Sequence, residues 1–255
     1  MNTGRRVVIT AGAGGIGLAM AQAFTANGDK VHICDINEQA LKEITEQNAA
    51  ITATVCDVSD LSSVEAFIKA AADTLGGIDI LVNNAGIAGP TSSVEEMDPD
   101  QWGAVLAVNL TGTFNVTRLA IPYLKQSGAG VILTMSSLGG RFGYQNRSPY
   151  AVTKRGLIAL TETLAIELGG DNIRVNAIAP GAVEGERIHR VLQGRADSSG
   201  RSLAEVTADA LSLQAIKRFV DPTDIAALAL FLASDQAKSI SGQTVAIDGD
   251  SSAAS

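Results

Sequence analysis

The amino-acid sequence predicts a single α/β domain built on a doubly wound, seven-stranded parallel sheet. Seven short runs rich in Val, Ile and Leu recur along its 255 residues. Most lack the polar alternation of a half-exposed strand, as expected of parallel strands covered on both faces. Stretches with helical spacing of apolar residues separate them, and strand–helix alternation along a whole chain marks this architecture.

The strands are expected at RRVVITA (5–11), KVHICD (30–35), ITATVCD (51–57), IDILVNNAG (78–86), AGVILTMSS (129–137), NIRVNAIAPG (172–181) and GQTVAIDG (242–249). Helices are expected over 16–27, 37–48, 60–75, 101–126, 150–168 and 222–234. Nothing has the composition of an interdomain linker and no repeat is visible, so residues 1–255 read as one domain. With 46% hydrophobic residues the chain can bury one large core. Residues 184–216 break the rhythm: they hold no strand, and GRADSSGRS (194–202) reads as a flexible patch. A long excursion from a compact domain is more often functional than idle, so this segment is expected to form a substrate lid.

Composition narrows the function. The 19 basic and 27 acidic residues give a net charge of −8, which disfavours nucleic acid as a partner. The two cysteines, Cys34 and Cys56, make no disulfide framework and suit a reducing compartment. The N-terminus lacks the apolar run and cleavage site of a secretory signal. The longest clean apolar run, IAALALFLA (225–233), is too short to cross a bilayer. The expectation is a cytoplasmic protein with neither nucleic acid nor membrane as partner, and no metal ligands are assigned.

VVITAGAGGIG (7–17) sets a glycine-rich turn between the first strand and the first helix. Gly12, Gly14, Gly15 and Gly17 let backbone N–H groups approach a pyrophosphate, and the helix N-terminus adds its positive dipole end. A tight structural turn would use the same glycines. The second strand ends at Asp35, whose carboxylate can accept from both ribose hydroxyls of an adenosine and repel a 2′-phosphate. No Lys or Arg follows before Lys42, so NAD is expected rather than NADP. Asp57 with Val58 could hold an adenine amino group or simply begin the next helix. NNAG (83–86) suits close packing around a cofactor or an ordinary turn.

In SPYAVTKRG (148–156), Tyr150 and Lys154 stand one helical turn apart. They could merely face solvent. Residues at i and i+4 share a helix face at about 5–6 Å between Cβ atoms. A phenol titrates near pH 10 when free, so using one as a base near neutrality takes roughly 3–4 kcal/mol of phenolate stabilisation. A cation on the same face supplies stabilisation of that sign. Ser137 lies thirteen residues before Tyr150. Tyr144 has no lysine four residues on and reads as a substrate-pocket or packing residue.

These motifs resemble the short-chain dehydrogenase/reductase family, in its classical type. The resemblance covers nearly the full length and is carried by TAGAGGIG (10–17), NNAG (83–86), VNL (108–110), Ser137, YAVTK (150–154) and IAPG (178–181). It implies a Rossmann fold, Tyr150 as general acid/base and Lys154 favouring the phenolate while bonding the nicotinamide ribose. Ser137 would polarise the substrate oxygen, and Asn109 would hold a relay water. The dinucleotide would lie against Gly12, Gly14, Gly15, Ile16, Gly17, Asp35, Ile36, Asp57 and Val58. Further along, Asn84, Ala85, Gly86, Pro180, Gly181 and Val183 would complete that surface. Two departures stand out: the family usually has Gly where Ala11 stands and often Thr where Gly185 stands. Carboxamide anchoring would then fall to backbone near Val183.

The expected reaction interconverts a secondary alcohol and a ketone. The lid carries Arg187, His189, Arg190, Arg195 and Arg201, and the loop before Tyr150 adds Arg141, Tyr144 and Arg147. Surface ion pairs with Glu184, Glu186, Asp197 and Glu205 would explain the arginines blandly. The sharper alternative is a small anionic or polar substrate met by Arg141, Tyr144, Arg147 and Arg187: a sugar, polyol, hydroxy acid or sulfonated sugar. Few aromatics and no obvious greasy wall disfavour steroids. Reduction of 3-oxoacyl thioesters and a non-catalytic NAD-sensing module remain alternatives; Asp35 argues against the first and the Tyr–Lys–Ser set against the second. His32 reads as a packed core residue. The resemblance also implies a homotetramer, and Leu157, Leu160 and Leu164 are expected to supply excess apolar surface on the pairing helices.

Overall fold

The structure, a computed structural model, describes residues 4–254; the side chains of Arg187 and Ser198 lie outside the described residues. Seven strands form one parallel sheet in the order β3-β2-β1-β4-β5-β6-β7. They are β1 (Arg6–Thr10), β2 (Lys30–Asp35), β3 (Ile51–Val55), β4 (Ile80–Asn83), β5 (Val131–Met135), β6 (Arg174–Pro180) and β7 (Thr244–Ile247). The chain therefore winds outward from β1 to one edge, returns, and winds from β4 to the other. Between β1 and β4 the direction of winding reverses, which opens a crevice at the carboxyl ends of the strands.

The absence of alternation has its predicted cause. In β1, Val7 and Ile9 enter one core layer and Val8 the other, and none is exposed. The first layer packs the sheet against α1 (Gly15–Ala26), α2 (Glu38–Gln47) and α10 (Pro222–Leu232). The second packs it against α3 (Leu61–Leu75), α5 (Thr113–Ser127) and α7 (Ser148–Leu168). Phe24 and Phe67 anchor the two layers and are fully buried; each contributes roughly 1.5–3 kcal/mol by leaving water. His32 is in the core as expected: its ring nitrogens face the Thr52 and Thr54 hydroxyls at 2.8 and 2.9 Å.

Three expectations need correction. The helix expected over 101–126 is α4 (Pro99–Leu106) and α5 joined by a π-helical segment, Ala107–Gly112. This continuous run is long and apolar enough to cross a membrane, although polar residues interrupt its sequence; here Val116, Ala120 and Leu124 bury it against the sheet. The segment 184–216 is not irregular. It forms α8 (Glu186–Ser199) and α9 (Leu203–Ser212), which share a small core of Leu192, Ala196, Val206 and Ala210. Gly200 ends α8 in a left-handed conformation and Ser202 starts α9 with a capping box to Glu205. Gly200 and Ser202 are thus caps, and Gly194, Ser198 and Ser199 lie within α8, so the stretch is helix–cap–helix and not a flexible patch. Finally, Leu157 and Leu164 are buried within this chain and Leu160 is partly buried against the same core, and the exposed large apolar residues of α7 are Val152 and Ile166.

Candidate active site

The glycine-rich turn leaves β1 through Ala11 and enters α1 at Gly15. Gly12 lies where a Cβ would strike Ile33 at 2.6 Å, and a Cβ on Gly17 would overlap the Ala11 carbonyl. Gly14 and Gly15 differ: each is exposed and a Cβ there would meet only open space. No side chain caps α1, so its first N–H groups, which lack acceptors within the helix, face the crevice. Asp35 closes the turn. Its Oδ2 accepts from the Ala13 N–H at 3.2 Å and its Oδ1 from the Asn37 N–H at 3.1 Å. Bare glycines, a helix N-terminus and a carboxylate at the end of β2 fit a dinucleotide.

Asn84, directly after β4, donates from Nδ2 to the Thr10 and Ala11 carbonyls at 3.1 and 3.0 Å. Thr10 Oγ1 accepts from the Asn84 and Ala85 N–H groups, each at 3.0 Å. These bonds clamp the NNAG turn to the glycine-rich turn. Thr10 opens the TAGAGGIG motif, but the sequence reading gave it no role, because it reads as an ordinary strand-end residue.

The chemistry-bearing residues meet on the next strand. Ser137 follows β5 and caps the short helix α6 (Leu138–Arg141), its Oγ accepting from the Gly139 N–H at 3.1 Å. Lys154 is 4% exposed and donates from Nζ to the Met135 carbonyl at 2.7 Å. Its Nζ lies 5.8 Å from the Tyr150 ring centroid, so the pair shares one face as the spacing requires. Ser136 is buried and spends its hydroxyl on the Lys154 carbonyl at 2.8 Å, which separates the two neighbouring serines by role. Gly139 and Gly140 make this assembly possible. A Cβ on Gly139 would press on Tyr144 and Tyr150 at 2.9 and 3.3 Å, and one on Gly140 would strike the Lys154 carbonyl at 2.7 Å. The glycine pair one residue beyond Ser137, after Leu138, was a readable signal for this contact.

Asn109 sits inside the π-helical segment and is fully buried. Its Oδ1 accepts from the Ile87 N–H at 2.8 Å, and its Nδ2 donates to the Ile87 carbonyl at 3.0 Å and to Thr153 Oγ1 at 3.2 Å. It holds the loop after β4 against α7. Such π segments often sit at functional sites.

A cavity of about 850 Å³ runs from the glycine-rich turn to α8. Its lining joins Gly14, Gly15, Ile16, Asp35, Asn84 and Gly86 with Ser137, Tyr144, Arg147, Tyr150, Lys154, Pro180, Gly181 and Val183. Backbone bonds from Val220 to Ala182 and from Glu184 to Val220, at 2.8 and 2.9 Å, pin the Val183 strip. Gly12 and Gly17 lie buried beneath the turn. Ala85, Asn109 and Val58 lie outside this lining, and Ile36 is 73% exposed beside Asp35. Asp57 is exposed, and its Oδ1 accepts from the Ser59 N–H and hydroxyl at 2.9 and 2.7 Å.

The substrate side departs further from expectation. Arg141 is turned away from this cavity and pairs with Asp248 at 3.4 Å, because α6 directs it to the far side. The side chain of Arg187 is outside the described residues. Arg190 lines the cavity and lies 3.9 Å from Glu186, and His189 lies 2.6 Å from Glu184. The cavity also has an apolar wall that composition did not reveal: Leu138, Ile188 and Val191 line it. Ile188 and Val191 share a face of α8, which was unreadable while the segment had no expected helix.

A dinucleotide crevice at the switch point, with a serine and a Tyr–Lys pair at its other end, defines a nicotinamide-dependent oxidoreductase. A family model described as enoyl-(acyl carrier protein) reductase matches residues 11–250. Levodione reductase of Leifsonia aquatica is 34% identical over 99% of this chain and 96% of its own length. Among solved structures, NAD+-bound xylitol dehydrogenase has a TM-score of 0.91 at 29% identity, covering 96% of this chain and 98% of that one. Actinorhodin polyketide ketoreductase with NADPH also has a TM-score of 0.91, at 30% identity over 96% of each chain. The chain belongs to the short-chain dehydrogenase/reductase family, in its classical type.

Proposed function

We propose that the protein is an NAD(H)-dependent oxidoreductase that interconverts a secondary alcohol and its ketone on a small polar substrate such as a sugar, polyol or hydroxy acid. The observation that carries this is the meeting of Asp35 and the Ser137–Tyr150–Lys154 set in one cavity. When bound, the nicotinamide supplies hydride transfer. In the oxidative direction, Tyr150 as phenolate would take the proton of the substrate hydroxyl, and the carbinol hydrogen would pass as hydride to the oxidised nicotinamide. Lys154, whose Nζ lies 5.8 Å from the Tyr150 ring centroid and is held by the Met135 carbonyl, favours the phenolate by its charge. Ser137 donates to the substrate oxygen and fixes its approach. The α8–α9 pair acts as the lid. Asp35 selects NAD by repelling a 2′-phosphate. Phe114, Val152 and Ile166, at 49%, 48% and 85% exposure, are the surface that further copies would cover in a homotetramer. The buried free thiols of Cys34 and Cys56 suit the cytoplasm.

The test is coenzyme reduction with sugars, polyols and short hydroxy acids. The expected result is saturable NADH formation, with kcat/KM higher for NAD than for NADP. Tyr150→Phe should lower turnover about 10²–10⁴-fold while NADH still binds. A preference for NADP would sink the role given to Asp35, and full activity in Tyr150→Phe would sink the role given to the phenol.

A further inference from the structure

Past β7 the chain reverses and returns to the lid. Gly249 and Asp250 both stand in the left-handed region, at φ 64 and 56. Asp248 braces the turn: its Oδ1 accepts from the Asp250 N–H at 3.1 Å and its carbonyl from the Ser251 hydroxyl at 2.9 Å. The chain then runs antiparallel to the residues that leave α9, with Ser251 opposite Gln214. The Ile216 and Ala215 N–H groups donate to the Gly249 and Asp250 carbonyls at 2.9 and 3.1 Å, and the Ser252 N–H donates to the Leu213 carbonyl at 3.0 Å. Gln214 and Ser251 are buried in this ladder. The strip also sits directly on the cavity. A Cβ on Gly181, a lining residue, would strike Asp248 at 2.9 Å, and Gln214 and Ala254 line the space themselves.

The strip's backbone bonds run to the end of the lid, which holds Ala254 at the substrate end of the cavity. There it joins Leu138, Ile188 and Val191 among the lining residues, and the side chains of these four offer no hydrogen-bonding group. A hydroxyl set against them would lose water without gaining a partner, whereas an alkyl group gains by leaving water. We infer that the strip 249–254 is a wall of the substrate pocket and that Ala254 limits the length of an apolar branch of the substrate, a small polar alcohol carrying one short alkyl group. Ser137 and Tyr150 fix where the carbinol lies, so a wall tied down by backbone bonds sets how long a branch can extend from it. This assignment rests on the oxidoreductase reading and selects one substrate class from within it.

The experiment measures kcat/KM for 1,2-propanediol, 1,2-butanediol and 1,2-hexanediol in the full chain with NAD. The three offer the same secondary alcohol beside a hydroxyl and differ only in alkyl length. In the parent, kcat/KM should rise from propanediol to butanediol and fall at hexanediol. Ala254→Leu should lower the butanediol-to-propanediol ratio about 10- to 100-fold, mainly through KM. A variant lacking residues 253–255 should raise the hexanediol-to-propanediol ratio, and Ser252→Pro, which removes the N–H that meets Leu213, should raise it by less. NADH affinity, read by fluorescence, should match the parent in each. A uniform loss over all three diols, or a loss of NADH affinity, would mean that the strip only supports the fold, which overturns the inference. A parallel titration of the NADH complex with acetamide, butyramide and hexanamide, read by the same fluorescence, separates the two levels of the proposal. A length limit that Ala254→Leu shortens, with no turnover of any diol, keeps the wall and counts against the oxidoreductase reading. Turnover whose length profile no variant changes overturns the wall and leaves the oxidoreductase reading standing.

Discussion

The two halves of the cavity are made in different ways. At the dinucleotide end, backbone does the work: the turn is shaped by what a Cβ would hit at Gly12 and Gly17 and left bare at Gly14 and Gly15. At the substrate end, side chains from three separate segments converge, with Thr91 after β4, Tyr144 and Arg147 before α7, and Ile188 and Arg190 on α8. A backbone site tolerates few sequences and so leaves a fixed pattern. A side-chain site can be built in many ways and leaves a pattern only where geometry repeats, as it does at Tyr150 and Lys154.

The sharpest way to break the first half is Gly17→Ala. The added methyl overlaps the Ala11 carbonyl and crowds Asn84 Nδ2, which clamps the two turns together. Both obstacles are fixed, so the turn itself must move. The expected loss is about 3 kcal/mol or more, at the upper end of overpacking costs, together with a large fall in NADH affinity. Chemical unfolding and NADH titration would measure both. An unchanged NADH affinity would mean that the turn is not the cofactor's main seat.

The same contrast explains what was legible in the sequence. All seven strands were visible as apolar, β-branched runs; the central ones read so because both their faces are buried, while the edge strands β3 and β7 are only partly covered, and the apparent excess length was the motif-bearing loop at the carboxyl end, as with the end of NNAG after β4. The Tyr150–Lys154 pairing was visible because helical spacing alone puts the two on one face. The π segment around Asn109 was not, since an extra residue in a helical turn leaves the apolar period nearly intact. The helices α8 and α9 were hidden because polar residues dominate α8, and its Gly194 and Ser198 resemble loop punctuation. The destination of Arg141 was hidden for a different reason. It and Arg147 lie in the same loop, and only the turn of α6 sends one to Asp248 and the other to the cavity.

A second test asks whether stability in the sheet can be changed without touching the substrate half. His32 is 2% exposed between Thr52 and Thr54, and burial lowers its pKa to about 4 from 6.5. The folded protein keeps the ring neutral down to that value, whereas the unfolded chain takes up a proton below 6.5. Its contribution is therefore complete above pH 6.5 and is lost as pH falls toward 4. The loss amounts to about 3 kcal/mol across that window. In His32→Gln, urea midpoints at pH 7 and pH 4.5 should lie closer together than in the parent, and the ranking of substrates should not change. An equal pH slope in both proteins would assign acid sensitivity to other groups.

The smallest expected effect lies within the backbone-built half and tests how completely backbone geometry governs it. Ala11 stands at φ 51, in the left-handed region, where a Cβ is unfavourable by about 1–2 kcal/mol. Glycine removes that cost but brings a more flexible unfolded chain, which returns about 0.4–1 kcal/mol of the gain. Ala11→Gly should thus raise stability by up to about 1 kcal/mol, a shift of roughly 2–4 °C in Tm for a chain of this size. NADH affinity should stay level, since the turn already holds the required backbone. A fall in Tm would show that the Ala11 methyl contributes more to packing in the cavity wall than its left-handed backbone costs, and the dinucleotide half would then depend on a side chain after all.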